Sequence, residues 1–327
     1  MRSPQATELA ELLQRGGGTV TALEPGLISV VGLDARRVGD LAFDNSIRVH
    51  ELANRVAMMD ALRYEWVRIR TIRSTCWLTG LTVLFGAGLA LIISWGLSFA
   101  FTQPDGPREG EIDLFGPMVV SHVSTDGAPF FVPYIVAMIG VFTWGHEYRH
   151  GMIRATLTAL PSRTHAWLAK YLVVGGWVSL VTLVTMLLSA AIGWLFLQDD
   201  GVSFATFDVV RIIAKGVIYT LVLTWIATAF ASLLRQQAAA LVLMFLWPLA
   251  IENIVTLLLF AVPGLDGLQP LARFLPYNAG SQMMRVRDVT GSMFGDPLSP
   301  WGASFVFGGV TAVLMAAGFA LFKRRDA

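Results

Sequence analysis

The chain is poor in charge. Of 327 residues only 14% are Asp, Glu, Lys or Arg, against 55% hydrophobic, with a mean hydropathy of +0.61. An ordinary soluble domain carries about 25% charged residues, so most of this chain has lipid as its solvent. Cysteine is nearly absent: Cys76 stands alone, which excludes an internal disulfide framework. Its place at the start of a hydrophobic run suits packing better than chemistry. Lysine occurs only at Lys170, Lys215 and Lys323, preceded by Ala169, Ala214 and Phe322. A phosphate-binding P-loop needs a Gly-Lys pair, so no Walker A motif exists here. The first sixty residues are polar, without the basic start and apolar core of a cleavable signal peptide. The net charge of +1 carries little information, because position matters more than the sum.

Six hydrophobic runs then stand out at membrane-spanning length. They cover about 76–101, 130–145, 171–197, 212–234, 238–262 and 301–322. The second is the shortest, with Pro133 near its start. Arg63, Arg68, Arg70, Arg73, Arg149, Arg154, Arg163, Lys170, Arg235, Lys323, Arg324 and Arg325 all fall on one side of a six-span arrangement. The opposite loops carry Arg108, Arg273, Arg285 and Arg287, with Arg211 and Lys215 at an edge, and hold an acid excess of Asp105, Glu109, Glu111, Asp113, Asp126, Asp199, Asp200 and Asp208. The positive-inside rule then places both termini in the cytoplasm, and the high Ala, Gly and Arg usage points to a bacterial plasma (inner) membrane. The expected fold is an all-α integral membrane protein of six transmembrane helices.

Residues 1–59 read as a cytoplasmic extension, with Gly16-Gly17-Gly18 as a flexible break and an amphipathic helix over Leu41–Met59. In residues 60–74, Leu62, Trp66, Ile69 and Ile72 recur at helical spacing beside Tyr64, Arg63, Arg68, Arg70 and Arg73. That pattern predicts a basic interfacial helix; the plainer alternative is the basic flank of a first span. The remaining domain, 75–327, is the six-helix unit. Its longest cytoplasmic connection runs over 147–170. Met152, Ile153, Ala155, Thr156, Leu157 and Ala159 suit a short helix that Pro161 stops, and Ser162 or Thr164 can cap the next span. A compact, partly apolar helix at the membrane face can dock on a soluble partner.

This segment resembles the Glu-x-x-x-Gly-(Thr/Met)-(Ile/Leu)-Arg … Leu-x-x-x-Pro-x-Arg pattern of the ATP-binding-cassette type 2 exporter permeases. In that family the connection forms a coupling helix that touches a separate ATPase. The resemblance implies a coupling role for Glu147, Gly151, Arg154, Leu157, Pro161 and Arg163, with Arg149 beside them. Tyr64-Glu65-Trp66 and the following arginines resemble the family's elbow helix. Trp247-Pro248 with Glu252, then Leu275-Pro276-Tyr277, resemble its actinobacterial members. What the resemblance implies is a non-enzymatic transport subunit without a cofactor of its own. ATP and Mg would sit on the partner ATPase, and a second permease chain, identical or not, would complete the assembly. The cargo would be a hydrophobic or amphipathic compound, such as an antibiotic, another drug or a lipid. No nucleic-acid partner is expected.

Two further features weigh in. Glu252, followed by Asn253, lies inside the fifth run, where an ionisable group costs ~3 kcal/mol and is functional by default. It either faces a translocation path or pairs across a dimer, or else is a packed acid bonded to Asn253 or to water. His146-Glu147-Tyr148-Arg149-His150 matches the zinc pattern H-E-x-x-H, and Leu265-Asp266-Gly267 is similar to the second motif of intramembrane metalloproteases. With Asp266 beyond the far end of the fifth run, about 30 Å of hydrocarbon would separate ligands that must each sit about 2 Å from one metal. A membrane protease is therefore the weaker rival, alongside a non-transporting scaffold or sensor.

Overall fold

The computed structural model describes residues 1, 3–50, 58–104, 107, 109–122, 131–159, 162–285 and 297–325. Pro161, Arg108, Arg287, Asp105 and Asp126 lie outside them. The chain divides into two compact units, Met1–Ala57 and Met58–Ala327.

The first unit departs from the expected helical extension. Helix α1 (Ala6–Arg15) leads to an antiparallel hairpin of β1 (Thr19–Glu24) and β2 (Leu27–Val31), then α2 (Ala35–Asp44). Leu9, Leu13, Ile28, Val38 and Ala42 form its core. The glycine run is an ordered turn, not a flexible break. Gly17 takes φ +91°, and a Cβ on Gly18 would meet Leu33 Cδ1 at 2.8 Å. The positive φ at Gly17 is what calls for glycine there, while a side chain at Gly18 would have to displace Leu33. The helix expected over Leu41–Met59 ends instead at Asp44, where Asn45 leaves helical backbone.

The second unit is a helical bundle. Among the described residues, five segments are long and apolar enough to cross a membrane. They are α4 (Arg73–Phe101), α8 (Arg163–Leu197), α9 (Phe207–Leu234), the broken segment Gln237–Ala261, and α13 (Pro300–Arg325). The broken segment consists of α10 (Gln237–Leu246), one π-helical turn (Trp247–Ile251) and α11 (Glu252–Ala261). Pro248 lacks the N–H that an α-helix would use, and the turn widens there. Shorter helices are α3 (Met58–Thr71), α5 (Glu109–Ser121), α6 (Val132–Arg149), α7 (Ile153–Ala159) and α12 (Pro276–Met283). The chain is thus a multi-spanning, helical integral membrane protein.

The second expected span is α6. It falls outside the five because its last turn carries His146, Glu147 and Arg149. Eleven of its 18 residues are buried, so it is lined by protein, not lipid, and needs no continuous apolar face. Its closest approach is to α9. A Cβ on Gly140 would meet Thr228 Oγ1 at 2.5 Å and the Thr224 carbonyl at 2.7 Å. On the α9 side Thr220, Thr224 and Thr228 each turn their hydroxyl back onto the carbonyl four residues earlier. Their polar atoms are thereby satisfied within the helix, which leaves a smooth groove for α6.

Cross-contacts sort the helix ends. Arg235, at the end of α9, lies 5.5 Å from the Tyr148 ring centroid. Arg163 Nη1 donates to the Lys323 carbonyl at 2.9 Å, and Trp144 meets Phe322 at 5.1 Å. One end of the bundle thus gathers α7 with the adjoining ends of α6, α8, α9 and α13, and with them Arg149, Arg154, Arg163, Arg235, Lys323 and Arg324. At the other end Tyr134 of α6 stacks near Tyr277 of α12, 6.5 Å between centroids.

Candidate functional site

At the basic end, α6 stops in a turn set by one residue. Gly151 takes φ +64°, and the Met152 N–H returns to the Glu147 carbonyl at 2.9 Å. This left-handed closure is what a helix C-terminus asks of glycine. It swings the chain directly into α7. Thr156 of α7 is buried and its hydroxyl lies 3.4 Å from Tyr64 Oη of α3. Ile153 and Leu157 pack against the main core, while Met152, Arg154, Ala155 and Thr158 face outward. Ser162 then caps α8, accepting from the His165 N–H at 3.5 Å. Arg149 is exposed and Arg163 is half-buried against the end of α13.

Beneath this corner lies a buried network of four charges. Lys170 is 0% exposed, Glu147 1%, Glu65 2% and the Arg68 side chain 14%. Lys170 Nζ bonds Glu65 Oε1 at 2.7 Å and Glu147 Oε1 at 2.5 Å. Arg68 pairs with Glu147, reaches Glu65 at 3.4 Å and donates to the Thr143 carbonyl at 2.5 Å. Lys170 also lies 5.0 Å from the Trp144 ring centroid. Two acids and two bases sum to zero charge, which is how such groups survive without water. The network ties α3, α6 and α8 together at one point.

Glu147 points inward and braces the corner from within. Arg68 belongs to the same brace, whereas Tyr64, Trp66 and Arg70 are exposed. The inward stripe of α3 is Ala61, Glu65 and Ile69. Arg73 is not on α3 at all: Ile72 is extended, and Arg73 opens α4. Glu65 and Lys170 were visible as members of larger segments, but nothing in the spacing pairs residues 105 apart. The His146 and His150 rings lie 6.2 Å apart. The acid between them is held by Lys170 and Arg68, and Asp266 accepts from Gln269 at 3.2 Å.

The second site surrounds Glu252. Helix α12 begins Leu275-Pro276-Tyr277. Leu275 has no side chain able to cap, and Pro276 fills the first helical position, where a missing N–H costs nothing. The next two amides find their acceptor across the bundle. Tyr277 N donates to Glu252 Oε1 at 2.9 Å and Asn278 N to Oε2 at 2.8 Å, while Trp247 Nε1 reaches Oε1 at 3.1 Å. A carboxylate at a helix N-terminus is well placed electrostatically. The Glu252–Asn253 bond, one of the alternatives for this acid, is not formed. Asn253 instead donates to the Pro248 and Leu249 carbonyls at 2.9 and 3.1 Å, in the π turn. A cavity of about 290 Å³ opens here, lined on its aromatic side by Phe131, Tyr134, Tyr219, Phe245 and Tyr277.

Residues 79–327 match the model of the family described as Protein of unknown function (DUF2705). The chain belongs to that family. Residues 1–59 match a second model, Domain of unknown function (DUF8746). No curated protein matches the chain. The DUF2705 portion contains Glu147, Lys170, Glu252 and the cavity, whereas α3, with Glu65 and Arg68, precedes it.

Proposed function

We propose that this chain is the membrane subunit of an ATP-driven exporter that crosses a bacterial plasma membrane six times, with both termini cytoplasmic. A separate ATPase, carrying ATP and Mg, docks on the α6–α7–α8 corner, and a second permease chain completes the assembly. The cargo is a hydrophobic or amphipathic compound, a drug or a lipid, moved outward.

One observation carries this reading. A seven-residue helix sits at the basic end of the bundle, with Ile153 and Leu157 packed inward, Arg154 outward and a buried charge network at the end of α6 that leads into it. A surface that must pass a push into the membrane needs a stiff backing, and four mutually bonded charges provide one. The Glu147–Arg163 resemblance to exporter permeases adds the identity of the partner. The sixth crossing is α6: 18 residues rise about 27 Å, close to the hydrocarbon thickness, and its two ends lie with opposite ends of the bundle. Nucleotide-driven closure of the ATPase pair would shift the bundle between access states by binding one better than the other.

Co-expression with the ATPase encoded nearest this chain is the test. The partner should copurify, and Arg154→Ala should release it or abolish coupled ATP hydrolysis. Arg154 is exposed, so the substitution leaves the fold intact. Failure of any ATPase to bind the folded protein would refute the proposal.

A further inference from the structure

The Glu252 cavity has a chemistry that points to one class of ligand. Its wall is a cluster of stacked rings: Tyr134 lies 5.8 Å from Phe245 and 6.5 Å from Tyr277, centroid to centroid. Its charge has one sign. Glu252 is the sole acid of the lining, which includes no Lys, Arg or His. Among the described residues no basic side chain forms an ion pair with it. Its three donors, two amides and an indole, are all neutral. Tyr277 Oη, also in the lining, is buried without a hydrogen-bond partner among the described residues.

From this combination we infer that the cavity binds a monovalent organic cation with an apolar body, its positive centre seated among Tyr134, Phe245 and Tyr277 beside Glu252. Ring faces attract ammonium groups, most strongly where water is excluded. A carboxylate with no cationic neighbour supplies the balancing charge. A divalent metal ion such as calcium is held by several carboxylates among its oxygens, and this wall has a single one. An anion would meet Glu252 unfavourably, and a neutral guest would gain nothing from its charge. The volume lies near the lower end for small-molecule sites, which favours a compact guest. The inference rests on the transport reading only in making this guest a cargo; binding itself needs no ATPase.

The probe is radiolabelled benzyltrimethylammonium, with neopentylbenzene as its neutral isostere, and the protein is the full chain in nanodiscs. Saturable binding is expected, with at least tenfold weaker competition by neopentylbenzene than by the unlabelled cation. Glu252→Gln and Tyr134→Leu should each weaken binding at least tenfold. Tyr134→Leu leaves the α12 cap untouched, so it decides the matter if Glu252→Gln does not fold. Arg154→Ala should bind as wild type, which separates this site from the ATPase surface. Absence of saturable binding, equal competition by the neutral isostere, or wild-type affinity in Tyr134→Leu would overturn the inference. None of those results bears on whether an ATPase copurifies.

Discussion

Lys170→Met is the sharpest perturbation of the basic-end brace. The methionine fills a similar volume but removes bonds to Glu65 at 2.7 Å and to Glu147 at 2.5 Å, together with the approach to Trp144. The four-charge cluster goes from neutral to a net charge of −1, with only Arg68 left to serve two buried carboxylates. Taking one partner out of a buried ion pair costs about 3–5 kcal/mol, because the charge left behind has no water to return to. For a unit of this size each kcal/mol moves a melting midpoint by about 2–4 °C, so a drop on the order of 10 °C is expected. The double variant Lys170→Met/Glu147→Gln is again neutral, with Arg68 facing Glu65. It should recover a large part of the loss, giving a coupling of up to about 3 kcal/mol. The assay is thermal unfolding in detergent, followed by helical circular dichroism. A single variant that melts within about 2 °C of wild type, or a double variant less stable than the single, would refute the reasoning.

Gly140→Val should destabilise the bundle by about 1–3 kcal/mol, since the added carbons enter the Thr224–Thr228 wall of α9; the same melting assay reads it. Gly151→Ala, forced to keep φ near +64°, should lose about 1 kcal/mol and raise protease cleavage around α7, whereas an unchanged digestion pattern would deny the turn its role. Leu13→Ala, in the small core of the first unit, should cost about 2–5 kcal/mol and abolish slow hydrogen exchange in residues 1–44 while leaving that of the bundle unchanged. In a Cys76→Ser background, Thr158→Cys and Ser203→Cys should react with an impermeant thiol reagent from opposite sides of the membrane; labelling from one side would exclude a crossing by α8.

The apolar runs were legible because burying about 20 residues in lipid leaves a one-dimensional trace. All five long helices lie where those runs do, to within a few residues except for α8, which begins eight residues earlier than expected. Helix α6 was legible as a run but its setting was not: a helix enclosed by protein can carry Thr143, Trp144 and Glu147 that a lipid-facing one could not. The first unit was misread for a related reason. Its core is five buried residues drawn from two helices and a hairpin; Leu9/Leu13 and Val38/Ala42 do recur at helical spacing, but over helices of only 10 residues each. The glycine run looks the same in a linker as in a tight turn.

Charge tells the same story at the sites. Arg154 and Glu147 stand seven residues apart in one motif, yet one faces outward and the other is enclosed. Glu252 and Leu275-Pro276-Tyr277 carry no local reason to belong together. The sequence alone determined that the chain lives in a membrane, where most of its helices fall, and that its basic residues cluster at the same set of helix ends. Those properties follow from composition and local order, since hydrocarbon rejects charge and a helix has a fixed rise per residue. Only the tertiary structure decided which charges meet, that Glu147 braces α3 and α8, and that Glu252 caps a helix across the bundle beside an aromatic cavity. Such pairings join residues far apart in the chain, and their energies exist only once packing has removed the water between them.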